Sequence, residues 1–156
     1  METVPYDKRS GKIWFNGELV NWTNAKVHVL NHGLHYASCV FEGERVYDGE
    51  IFKLEEHTDR LFYSAKRMGI VIPYGPKEIN TASKEIVTAQ KIKDGYVRPI
   101  IWRGSEMMAI SAQKNKIHVA IASWEWGSYF DPNLKLKGIK LNISSWRRPA
   151  PNSVPW

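Results

Sequence analysis

The chain has 156 residues, 43% of them hydrophobic and 24% charged, with a formal net charge of +6. That is enough for a domain with its own core, while no window approaches the roughly 20 apolar residues that span a bilayer, so no membrane role is expected. The Lys and Arg residues are scattered among acids, which argues against nucleic acid, and the single Cys39 excludes an internal disulfide and fits a reducing compartment.

The opening METVPYDKRSGK has no apolar run of the signal-peptide kind, so a cytoplasmic location is expected. IWFNGELV at 13–20 places Asn16-Gly17 between two apolar runs, which predicts a hairpin. KVHVL at 26–30 alternates and reads as a strand. VFEGERVY at 40–47 passes through Asp48-Gly49 into EIFKL, a second predicted hairpin. From Leu54 to Met68 the period becomes helical, with Leu54, Leu61, Ala65 and Met68 on one face and Gly69 as the stop. A second helix is predicted from Lys77 to about Lys93, with Ile79, Ala82, Ile86 and Ala89 inward and Gly95 past its end. YVRPIIW at 96–102 and KIHVAIASWEW at 116–126 return to strand. Pro99 cannot donate to a ladder, which implies an edge or a bulge there. Residues 127–135 are rich in turn formers and read as a connector, 138–146 as one more strand, and the proline-rich end as irregular. The organisation is α+β to about Trp126, followed by a linker and the first strand of an unfinished second unit. A last strand with nothing to pair with is poor domain design, so a longer parent chain is expected.

Side-chain patterns suggest chemistry at several points. Phe41, Gly43 and Arg45 alternate along one strand and share a face, with Glu44 directed to the other. An aromatic, a gap and a cation on one face suit a pocket wall as well as they suit a domain edge. Tyr96 and Arg98 share a strand face in the same way, and Arg98 could meet a carboxylate or hold a tyrosine hydroxyl. Trp126 and Tyr129 lie in or beside the connector, either covering a site or anchoring a linker. By spacing alone Arg60 is a surface arginine paired with Glu56 at i−4. The histidines at 28, 32, 35 and 57 offer no third ligand at useful spacing, so they read as hydrogen-bonding residues and no metal site is expected. Seven tryptophans exceed what one modest core hides, which favours self-association.

Four segments together carry a family resemblance: NAKVHVLNHGLHYASCVFEGERVYDG at 24–49, EHTDRL at 56–61, YVRPIIWRG at 96–104 and SSWRRPAPNSVPW at 144–156. The chain resembles the branched-chain amino acid aminotransferases, pyridoxal 5′-phosphate enzymes of fold type IV, from about Ile13 to its last residue. The resemblance implies the small N-terminal domain of such an enzyme over residues 1–126, an antiparallel-rich sheet with two helices. A connector at 127–135 and the start of a second domain at 136–156 would follow. It implies that Arg60, in E-H-x-x-R-L, binds the cofactor phosphate, for which a guanidinium fork is well suited. It further implies a substrate pocket of Phe41, Gly43, Arg45, Tyr96, Arg98, Trp126 and Tyr129, completed by Tyr36, Met108 and Ile110, in part from a partner subunit. The expected activity is transfer of the amino group of leucine, isoleucine or valine to 2-oxoglutarate by a homo-oligomer. The family's cofactor-binding lysine follows the PN-x-x-P segment, beyond Trp156, so the chain as given is expected to be an N-terminal portion without activity of its own. The neighbouring readings are a D-amino acid aminotransferase, an aminodeoxychorismate lyase, or a non-catalytic binding module.

Overall fold

Turn chemistry fixes both hairpins of the sheet. In the computed structural model, which describes residues 4–127, 132–150 and 152–153, Asn16 and Gly17 have φ of 51° and 98°, and Asp48 and Gly49 have 48° and 83°. Two consecutive positive φ values make the tight turn whose twist matches that of the strands it joins. The first links β1 (Lys12–Phe15) to β2 (Glu18–Asn21), and the second links β4 (Glu44–Tyr47) to β5 (Glu50–Ile51). Together with β3 (Cys39–Phe41), β6 (Gly95–Arg103) and β7 (Ile117–Glu125), they form an antiparallel sheet of seven strands among the described residues. The order is β2-β1-β7-β6-β4-β5, with β3 also pairing β6.

The segment 40–47 divides into β3 and β4, and the division has a clear cause. Phe41 lies opposite Ile100 and Glu44 opposite Val97, so both strands keep one register against β6. Between them the Glu42 N–H donates to the Pro99 carbonyl at 3.0 Å, but Pro99 has no N–H to return. The consequence of Pro99 is therefore a gap in the ladder at Glu42–Gly43 and not the expected edge or bulge.

Helix α2 (Leu54–Arg67) and helix α3 (Pro76–Ala89) cover one face of the sheet. Leu61, Ala65, Ile79 and Ile86 interlock there with Trp14, Val46, Val97, Ile101, Val119 and Ile121 in the main core. Two residues expected inward are not. Met68 is 41% exposed, since it caps the last turn, and Ala89 is exposed while Ser83 and Val87 are buried in its place. Gly69 terminates α2 with φ +61°, as its position predicts. At the end of α3 the left-handed residue is Lys91, φ +54°, and not Gly95. A Cβ at Gly95 would lie 2.5 Å from the Trp124 carbonyl oxygen, so that glycine answers to close packing between strands.

Other elements depart from the sequence reading. Residues 26–30 form no strand: Val27 is 49% and Val29 71% exposed, and alternation without a partner strand builds no ladder. A five-residue helix, α1 (His32–Tyr36), follows, with Asn31 Oδ1 accepting from Gly33 N at 3.0 Å. Contacts divide the chain into Met1–Trp126 and Gly127–Trp156. The second unit contains a short helix, α4 (Pro132–Lys137), inside the segment read as a connector. Residues 138–146, expected as a strand, pair with no other described residue.

Candidate functional site

Two clusters occupy opposite sides of the edge formed by β3 and β4. The first lies on the sheet face not covered by α2 and α3. Register places Gly43 beside Arg98 and Arg45 opposite Tyr96, so the alternation read from the sequence brings these side chains to one face. Arg98 Nη2 donates to Tyr96 Oη at 2.9 Å, and its guanidinium carbon stands 4.3 Å from the centre of the Phe41 ring. Arg45 Nη1 donates to the Trp126 carbonyl at 2.9 Å, and the Tyr96 and Trp126 rings pack with centroids 4.8 Å apart. Gly43 is required here, because a Cβ at this position would collide with the Tyr96 hydroxyl. Arg98 Nε is buried and has no acceptor among the described residues. Tyr96 Oη receives a hydrogen bond from Arg98, so its own proton remains available to donate.

The second cluster is on the helix side. Glu42, one residue before Gly43, points the other way by strand alternation. Its carboxylate is only 7% exposed, and it accepts from Arg60 Nε and Nη2, each at 2.6 Å, in a two-bond fork. His57 Nδ1 lies 2.8 Å from Glu42 Oε2, and since a carboxylate only accepts, that nitrogen carries the proton. Burial alone would raise the Glu42 carboxyl, but hydrogen bonds from Arg60 and His57 overcome it and hold the group below the ordinary carboxylate range. Arg60 thus pairs with Glu42 and not with Glu56, which instead meets Lys53 at 2.7 Å. The Arg60 side chain stays 63% exposed.

The remaining residues are distributed as follows. Tyr36, on α1, donates to the Met108 carbonyl at 3.0 Å and stacks on His32 with ring centroids 4.4 Å apart. His32 is buried and bridges Ser38 Oγ at 2.7 Å and the Ala109 carbonyl at 3.1 Å. That side of the chain holds the 107–110 loop, leaving Ile110 88% exposed. Among the described residues no hydrogen bond, ion pair or ring contact joins the Tyr36–His32 group, or Arg60, to Tyr96 or Arg98. Tyr129 lies outside the described residues. Among the described residues no three His, Cys, Asp or Glu side chains converge as a metal site would require, and no helix is long and apolar enough to cross a membrane.

Sequence reasoning missed Glu42, and it read His57 as a hydrogen-bonding residue without naming its partner. A signal was present: Glu42 and Glu44 both occupy inward positions of a strand whose next inward residue is Val46, and acids placed there need partners.

Comparison with known proteins agrees with this architecture. Residues 39–155 match the family described as amino-transferase class IV. The chain is 46% identical over 144 residues to the branched-chain-amino-acid aminotransferase of Pseudomonas aeruginosa, covering 90% of the chain and 47% of that protein. It is 37% identical over 153 residues to the Escherichia coli enzyme of the same name, covering 95% of the chain and 50% of the relative. The chain therefore spans about half the length of these curated relatives. The crystal structure of the E. coli branched-chain amino acid aminotransferase superposes with a TM-score of 0.82 at 35% identity, over 94% of this chain and 50% of that one. A T.th. enzyme of that name, solved with pyridoxamine 5′-phosphate, gives a TM-score of 0.76 at 38% identity, over 81% and 43%. The strand register that aligns Phe41, Gly43, Arg45, Tyr96 and Arg98, and the helix that carries Arg60, both fall inside the matched region, and the chain belongs to the class IV aminotransferases.

Proposed function

We propose that the protein moves the amino group of leucine, isoleucine or valine to 2-oxoglutarate, using pyridoxal 5′-phosphate. The observation that carries this reading is the Arg98 environment. Its buried Nε–H lacks an acceptor among the described residues and its guanidinium rests on Phe41, so one residue pair offers a cation for a carboxylate beside an apolar ring for an aliphatic chain. Branched-chain aminotransferases among the relatives support the choice of substrate class.

Arg60 fits the cofactor's phosphate by its chemistry. The Glu42 fork fixes the guanidinium, and the side chain's exposure leaves its remaining donors facing solvent, where a phosphate can reach them. When bound, the cofactor supplies an electron sink for the pair released as the substrate Cα loses its proton. The chain's own residues act around that event. Arg60 holds the phosphate, Arg98 and Arg45 receive carboxylate, and Phe41 with Trp126 borders the side chain. Gly43 leaves the room that Tyr96 Oη occupies. Tyr36, Met108 and Ile110 face a second subunit of a homodimer. The free Cys39 supports a location in the reducing cytoplasm.

The test is turnover by the full-length protein of L-leucine with 2-oxoglutarate, measured as glutamate formed, beside D-alanine in the same assay. Leucine turnover is expected. Turnover of D-alanine alone would overturn the substrate reading in favour of a different class IV activity.

A further inference from the structure

We propose that Glu42 is a positioning residue for the phosphate-binding arginine: it fixes Arg60 so that the guanidinium's outer donors face the phosphate, and His57 holds Glu42 in turn. This rests on the reading of Arg60 given above and goes beyond it to the residues behind the arginine.

The geometry is that of an orienting pair. Both Glu42 oxygens are used, Oε1 by Arg60 Nε and Oε2 by Arg60 Nη2, and the second oxygen is shared with His57 Nδ1. Fork-to-fork pairing defines the plane of the guanidinium, which a single hydrogen bond does not. The two partners differ sharply in environment. Glu42 is 7% exposed between β3 and β4, while the Arg60 side chain is 63% exposed on a helix surface. An exposed arginine free to sample its rotamers would lose side-chain entropy on gripping a ligand. Anchoring to a buried carboxylate removes most of that loss before the ligand arrives. Arg60 Nη1 is not used by the fork, so its two N–H groups remain for an anion.

A competing effect runs the other way, since Glu42 also neutralises part of the charge that attracts phosphate. The sign of the experiment decides between them. The probes are pyridoxamine 5′-phosphate and pyridoxamine, neither of which bonds covalently to a lysine, and the affinity ratio isolates the phosphate's contribution. In the full-length protein, Glu42→Gln is expected to weaken pyridoxamine 5′-phosphate about tenfold, the size of one charge-assisted hydrogen bond, with pyridoxamine changed less than about twofold. Glu42→Asp keeps the charge but is one methylene too short for both bonds, and it is expected to show the same selective loss in smaller degree. It also serves where Glu42→Gln folds poorly. Equal losses for both probes would mark Glu42 as a structural tie between α2 and β3 and overturn the proposal. Unchanged or tighter phosphate binding in Glu42→Gln, while Arg60→Ala loses it, would also overturn the proposal and leave the Arg60 reading intact. If Arg60→Ala itself leaves the ratio unchanged, the phosphate reading of Arg60 is what fails.

Discussion

At the scale of single residues, Gly43 and Glu44 show how one strand serves two purposes. Gly43 has no room for a methyl group because the Tyr96 hydroxyl fills it. Gly43→Ala is therefore expected to cost about 1–3 kcal/mol of stability by overpacking. The cost should vanish when Tyr96→Ala is added, since the two changes meet at one contact. Thermal unfolding of the two single variants and the double variant measures this coupling. Glu44 is 1% exposed, and both of its oxygens lack a partner among the described residues. Burial, helped by the negative charge of Glu42, pushes its carboxyl up to about 8. Because the folded value lies above the unfolded one, the contribution to stability is full below about pH 4.5. It declines as pH rises towards 8, because the unfolded chain releases the proton before the folded chain does. Glu44→Gln is expected to flatten this decline and to be the more stable form at pH 8, by up to a few kcal/mol, in urea titrations at pH 5 and pH 8.

Elements differ in how far sequence reveals them, and each difference has a physical reason. Both hairpins were legible because Asn-Gly and Asp-Gly satisfy a backbone requirement that few dipeptides meet. Helices α2 and α3 were legible because each buries a stripe of apolar residues over four turns. The shared face of Phe41, Gly43, Arg45, Tyr96 and Arg98 was legible because a strand's period is two. Residues 26–30 misled because alternation is necessary for a half-buried strand but does not supply a partner. Helix α1 is too short to show a period at all. The Glu42–Arg60 pair joins different elements 18 residues apart, and no local pattern reports such a contact. At the end of α3, Lys91 occupies a left-handed position that favours glycine. Lys91→Gly is expected to raise stability by about 0.5–1 kcal/mol, read as a higher unfolding midpoint in urea.

For the molecule as a whole, the core hides some of the tryptophans and leaves others in reach of solvent. Trp14, Trp22 and Trp102 are buried, while Trp146 in the second unit is 90% exposed. The exposed apolar side chains of the first unit include Val29, Leu30 and Leu34 around α1, and Ile110 on the loop that Tyr36 and His32 hold. A surface of this kind is suited to contact with a second subunit. Sedimentation of the full-length protein at micromolar concentration is expected to give a dimer or larger species. Leu34→Asp is expected to weaken association by roughly tenfold or more, since it would bury a charge without a partner. A monomer at those concentrations would remove the basis for assigning Tyr36, Met108 and Ile110 to a shared pocket.

The unbroken register across Pro99 has a consequence for how this protein can change over time. A substitution between Phe41 and Arg45 changes one side chain and leaves the others on the sides to which they point. Gaining or losing a single residue there would invert every side chain downstream of it, swapping the sides to which Glu42 and Gly43 point. Arg60 would lose its anchor and Tyr96 its space in the same event, although neither residue had mutated. Length, more than composition, is the quantity this short stretch must hold constant.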